Sequence, residues 1–235
     1  MSRVRPLDRS AHGALRFDPG IVSSPQTIVQ IGLSEIALVA ADMPVCLAKD
    51  ANTGRFNLVA LLGLIEPGNL FCVEGRMHAT YCPRALQLTG FRLDPAGVAG
   101  LAVDEADGAI GAVAGQPLFV DGESTALLAD IAVALHRLIA DIGAARDVIG
   151  DYAGKRLIRP LRLTLQGDDG REHGIDGLYT IDTEALANLP DADVLALHRA
   201  DRLAPATIMA ASLVQIERLC QLNNARHARV LRILP

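Results

Sequence analysis

The sequence predicts an α+β fold: antiparallel sheets of short strands in the first half and a 161–179 hairpin, packed with a long central helix and C-terminal helices. Three observations carry this. Short β-compatible runs bounded by Pro, Gly and Asn/Asp fill residues 35–120. An amphipathic pattern of helical period begins near Glu123, with Leu127, Leu128, Ile131, Leu135, Leu138 and Ile142 on one side. Strands cluster first and helices later, the order of a segregated α+β architecture.

In chain order, residues 1–32 read as a loosely structured N-terminal arm, because Pro6, Pro19 and Pro25 interrupt any long element. Residues 33–235 read as a single domain. "EIALVAAD" (35–42), "PVCLAKD", "RFNLVALLGL" (55–64) and "LFCVE" (70–74) are strand candidates. Their near-continuous apolar runs suit strands covered on both faces. "EPGN" (66–69) reads as a turn. Pro83 opens a short helix that Gly90 ends, and "AGLAVDE" and "QPLFVDGE" add strands. Asp121 or Ser124 caps the central helix, Gly143 ends it, and a short helix follows at 144–152. "LIRPLRLTLQ" and "REHGIDGLYTID" flank "GDDG" as a hairpin. Asp182 or Thr183 caps "EALANL". From Asp191 the chain is helical with an interruption near Pro205. Met209, Leu213, Ile216 and Cys220 form a stripe there, whose natural neighbour is the central helix, with a homodimer seam as the alternative.

Composition excludes several functions. The chain of 235 residues is 50% hydrophobic and can bury a core without staples. A net charge of −5 and only 3% aromatics argue against a nucleic-acid binder, which needs a basic face and stacking platforms. The basic C-terminal "ARHARVLRIL" reads as a solvated tail. Arg3, Arg5 and Arg9 are followed by no apolar segment, so no secretory signal is expected, and no continuous apolar run reaches membrane-span length. Insertion in a membrane is not expected, and the cytoplasm is the expected location. Cys46, Cys72, Cys82 and Cys220 form no CxxC pair, and none of the six histidines pairs with another at helical spacing, so no metal is expected.

The segment "KDANTGRF" tests for a phosphate loop. A P-loop needs GxxxxGK[ST], and here a single Gly follows the Lys. Asp50 and Asn52 suit turn positions, and Gly54 accepts positive φ, so a tight turn between strands is the reading. No GxSxG elbow and no GxGxxG fingerprint occurs, so neither a serine hydrolase nor a dinucleotide cofactor is indicated. Cys72 sits in an apolar run as a buried thiol. The polar set worth following is Glu74, Tyr81, Asp104, Glu105, Asp176 and Tyr179. Asp176 lies between glycines in "GIDGLY", where a backbone approaches a neighbour closely or bulges. Asp104 and Glu105 suit a cation or acid–base work, or solvation at a strand end.

The run "MPVCLAKDANTGRFNLVALLGLIEPGNLF", then "YCPRAL", "AVDE", "QPLFVDGEST", "GIDGLYTIDTEALANL" and "SLVQIERL", resembles the SapC family of bacterial proteins over about residues 30 to 222. The resemblance implies a link to surface-layer (S-layer) export, from which the family takes its name. It also implies a genomic neighbourhood of flavin halogenase-like proteins and TonB-dependent receptors, and no reaction. Two departures stand out: Met77 occupies a position where an aromatic is expected, and "ATIMAA" precedes Ser212 where Tyr and His are expected. The expectation that follows is a non-catalytic accessory or binding protein that meets a protein partner, among them halogenase-like or envelope transport proteins. The alternative is a small-ligand binder or enzyme with a pocket using Asp176, Tyr179, Asp104 or Tyr81.

Overall fold

The computed structural model describes residues 4–22, 25–65, 68–226 and 231–233. They group into two compact units, one of Met1–Ser24, Cys72–His78 and Cys82–Ala140, the other of Pro25–Phe71, Ala79–Tyr81 and Asp141–Pro235. Both are built from antiparallel strands and helices, an α+β architecture. Glu66 and Pro67 of the expected "EPGN" turn and the centre of the basic tail lie outside the described residues.

In the first unit, Leu101–Asp104 is the central strand of an antiparallel sheet, between Val4–Pro6 and Phe91–Leu93. A second small sheet places Arg16–Phe17 between Ile110–Gly111 and Gln116–Pro117. The first 22 residues therefore contribute two strands, and Leu7, Phe17 and Val22 are buried. Phe17 meets Phe91 edge-on, with ring centroids 5.0 Å apart. Gly97 has no alternative: a Cβ there would lie 1.7 Å from the Leu101 carbonyl oxygen. Cys72–Val73 and Arg76–Met77 form a minimal hairpin whose turn, Glu74–Gly75, has φ of 50° and 76°. Asp121–Gly122, with φ of 51° and 78°, turns a second one, between Phe119–Val120 and Glu123–Ser124. Neither Asp121 nor Ser124 caps the long helix as expected. Both are taken up by this hairpin, and the helix starts at Ala126.

The second unit is organised on a five-stranded antiparallel sheet in the order Ile158–Pro160, Leu178–Ile181, Val45–Lys49, Phe56–Leu61, Ile28–Gln30. Val45, Cys46, Leu47 and the run Leu58–Leu61 are buried on both faces, as their continuous apolar sequence required. The Asp50 turn joins two of these strands. The Asp50 carboxylate accepts from the Asn52 and Thr53 N–H groups and from the Thr53 hydroxyl, and Gly54 takes φ 68°. These Thr53 bonds hold the Asp50 carboxyl below the usual carboxylate range, and replacing Asp50 or Asn52 is expected to change stability only modestly.

Four expectations are corrected here. Residues 35–42 are helix and turn: Leu33–Glu35 makes a 3-10 turn and Ile36–Val39 an α-turn, burying Ile36 and Val39 at helical spacing, and the strand is Ile28–Gln30. The long helix runs through Gly143 to Gly154. Ala145, Val148, Ile149 and Tyr152 continue its buried stripe, and that burial outweighs the ~1 kcal/mol propensity cost of a mid-helix Gly. The 163–175 hairpin forms as expected, but "REHGIDGLYTID" divides at Asp176–Gly177, where φ of 80° at Gly177 sends Leu178–Ile181 into the five-stranded sheet. Finally, the helix Leu203–Ser212, for which the central helix was the expected neighbour, has its main support in the strands Leu178–Ile181 and Val45–Lys49 and in Ile36–Val39. Its Ser212 hydroxyl accepts the Val45 N–H at 2.9 Å and donates to the Met209 carbonyl at 2.7 Å. Pro205 sits in the first turn of this helix, where its missing N–H has no partner to lose, and the break precedes it at Asp201, φ 55°. An 18-residue window of Leu203–Arg226 has the length and, at a mean hydropathy of 1.2, the composition of a membrane span, and 33% of it is buried here. In this fold its Ala206, Met209, Ile216, Leu219 and Cys220 side chains are buried.

Candidate functional site

A polar arrangement in the second unit surrounds Thr80 and Tyr81. The sequence "IGLSE" makes it. Gly32 opens the 3-10 turn, and Glu35, three residues on, folds back so that its Oε2 accepts the Gly32 N–H at 2.8 Å. Its other oxygen, Oε1, accepts the Tyr81 hydroxyl at 2.8 Å. Glu35 is fully buried, 0% exposed. The turn is pinned from behind, because Asp141 accepts from both the Ser34 N–H and the Ser34 hydroxyl. Asp141 also leaves no room for a side chain at position 32, where a Cβ would lie 2.2 Å from its Oδ2.

A second buried carboxylate, Asp42, follows the helical turn Ile36–Val39 and is 4% exposed. It accepts the Thr80 N–H and pairs with the Arg218 guanidinium. Arg218 comes from the helix Gln215–Arg226 and lies 5.8 Å from the centroid of the Phe71 ring. Burial pushes the Asp42 carboxyl up, but the Thr80 hydrogen bonds and the Arg218 charge outweigh it and hold the group below the usual carboxylate range. Two buried acids thus hold consecutive residues, Thr80 and Tyr81. Chemically this is a fastening: each carboxylate meets its donors in the interior.

The remaining candidates have local partners. Asp104 ends its strand and accepts the Ala106 N–H at 3.1 Å, while its own N–H donates to the Gly90 carbonyl. Glu105 receives the Nε2–H of His12 at 3.1 Å. His12 is 3% exposed, and its Nδ1 accepts the Asp8 N–H at 2.9 Å, which leaves Nε2 to carry the donated proton. Glu105→Ala is expected to lower stability by about 1–2 kcal/mol, because it strands a buried donor, and urea unfolding against wild type measures this. Glu74 is a hairpin-turn residue. Tyr179 stacks edge-on against Phe56 with centroids 4.9 Å apart, and Asp176 is exposed at the strand break. Glu74, Asp104 and Glu105 thus belong to the first unit, and Tyr81, Asp176 and Tyr179 to the second.

Two open depressions lie elsewhere. One of about 320 Å³ is lined by Arg84, Gln87, Leu88, Ala134 and Arg137, the other, about 380 Å³, by Arg159, Pro160, Leu161 and Arg162. None of the sequence candidates lines either. Burial pushes the Cys46 thiol up to about 12, and burial with the nearby Glu217 pushes Cys220 up to about 11, so both are protonated at neutral pH. Among the described residues no group of three or more His, Cys, Asp or Glu side chains is gathered as metal ligands.

Sequence reading named Tyr81 but missed Glu35, Asp42, Arg218 and His12. Glu35 had a legible signal, the spacing of a capping Gly32 and an acid at the third following position. Arg218 and Asp42, 176 residues apart, had none.

The family model for SapC matches residues 7–219 of the chain. A comparison with curated proteins and one with solved structures each gave no match.

Proposed function

The chain belongs to the SapC family, and from that premise we propose that it is a non-catalytic accessory protein that works by binding another protein. One observation carries the reading: two large apolar side chains of the second unit, Leu38 and Val214, are exposed on neighbouring segments. Leu38 is 48% exposed and Val214 is 72% exposed. They stand on adjoining segments, since the helices Ile36–Val39 and Leu203–Ser212 pack together and Gln215 Nε2 donates to the Ala41 carbonyl at 3.0 Å. Ala37, Ala41 and Ala211 are exposed beside them. Exposed apolar side chains grouped on such a rigid support favour a contact surface. Tyr81, Asp104 and Glu105, by contrast, are engaged by Glu35, the Ala106 N–H and His12.

The partner is a protein of the kind the family's neighbourhood implies, halogenase-like or an envelope transport component, met in the cytoplasm. A link to surface-layer export fits the same role. The test is capture from native cells with wild type and with the Leu38→Asp/Val214→Asp double variant. Equal melting temperatures and loss of the captured partner are expected. A partner retained in full by the folded double variant contradicts the proposal.

A further inference from the structure

We propose that the depression at Arg159–Arg162 is a binding site for an oxyanion of the phosphate-monoester class. The segment "KRLIRPLR", residues 155–162, places four cations in eight positions of a chain whose net charge is −5. Lys155 is neutralised by Asp193. Arg159 and Arg162 line one depression of about 380 Å³ with Pro160 and Leu161 between them. Among the described residues neither guanidinium has a hydrogen-bond or ion-pair partner. Among the described residues no acid pairs with either guanidinium, and an anion in the recess is attracted to both.

The backbone that carries them is held at both ends. Arg159 pairs in register with Thr180, the Leu161 N–H donates to the Leu178 carbonyl at 2.9 Å, and Leu163 pairs with Ile175. Pro160 fixes its own φ. Only the side chains need to order on binding, which keeps the entropic cost low. Guanidinium forks match phosphate oxygens in bidentate fashion, and two of them match a dianion. Pro160 and Leu161 supply apolar surface for an organic substituent, and the volume suits a small ligand. The nearest acid by register is Asp176, at the strand break across from Arg162, and no ion pair joins the two among the described residues. Its charge opposes an anion in the recess.

The test is an amide NMR titration of the full chain with inorganic phosphate and with phenyl phosphate, against sodium chloride at matched ionic strength. Saturating shifts confined to residues around 158–163 are expected, with a dissociation constant on the order of 1 mM and tighter binding of phenyl phosphate. Arg159→Gln/Arg162→Gln is expected to weaken binding at least about tenfold with an unchanged melting temperature, and Asp176→Asn to tighten it. Should the double variant fail to fold, the single Arg162→Gln serves, at an exposed position outside the strands. Shifts that match those of chloride, unchanged affinity in the folded Arg variant, or weaker binding by Asp176→Asn would each overturn the proposal.

Discussion

Replacing Arg218 with alanine is expected to destabilise the protein by about 2–3 kcal/mol at neutral pH. Asp42 is 4% exposed, so removing its cation leaves a carboxylate in the interior with the Thr80 N–H as its remaining donor among those described above. A fully buried pair broken in this way costs about 3–5 kcal/mol, and the figure here is reduced because the Arg218 side chain is 40% exposed and already partly solvated. The pH dependence has a definite sign. The folded Asp42 carboxyl titrates below its ordinary value, so its contribution is full above the usual carboxylate range. That contribution drains away as pH falls through the folded value. Asp42→Asn should therefore differ most from wild type near neutrality, and the gap should close on acidification. Urea unfolding at a series of pH values reads both effects. A gap that stays constant with pH means that Asp42 is not held charged by Arg218 and Thr80.

Glu35→Ala is expected to cost about 2–4 kcal/mol. The side chain receives two donors, the Gly32 N–H and the Tyr81 hydroxyl, at a fully buried site, and alanine strands both. Glu35→Gln keeps the shape and an acceptor oxygen, so it should recover part of the loss. Tyr81→Phe removes one donor together with its need for a partner and should cost less than Glu35→Ala. If Glu35→Ala proves neutral, the two hydrogen bonds do not fasten Tyr81 and the polar arrangement has another role.

Local chemistry was the legible part of this sequence. The Asp50 turn follows from Asx side-chain bonding and a Gly at positive φ, and the Asp182 cap from its bonds to the Glu184 and Ala185 N–H groups, both local effects. The 163–175 hairpin follows in the same way from the turn residues between its strands. What failed depended on tertiary packing. "EIALVAAD" carries β-compatible residues, yet Glu35 bonding back to Gly32 and burial of Ile36 and Val39 on one side made it helical. Gly143 read as a helix end because glycine commonly stops a helix, so the helical stretch expected at 144–152 was separated from the helix it continues, through Ala145 to Tyr152. Tyr81 was readable as a polar residue of interest, but its role depends on Glu35, 46 positions away. Asp176 was flagged for its flanking glycines, of which Gly177 serves a change of sheet and Gly174 lies within the hairpin strand.

The most direct test of the account sets the fastening against the surface. Capture from native cells is carried out with Tyr81→Phe and with Leu38→Asp/Val214→Asp, and melting temperatures are measured for both. The account predicts that Tyr81→Phe melts lower and keeps the partner, while the surface variant melts like wild type and loses it. The reverse pattern, with partner or ligand lost in a folded Tyr81→Phe protein and kept by the surface variant, would contradict it and make Tyr81 and Glu35 the functional site.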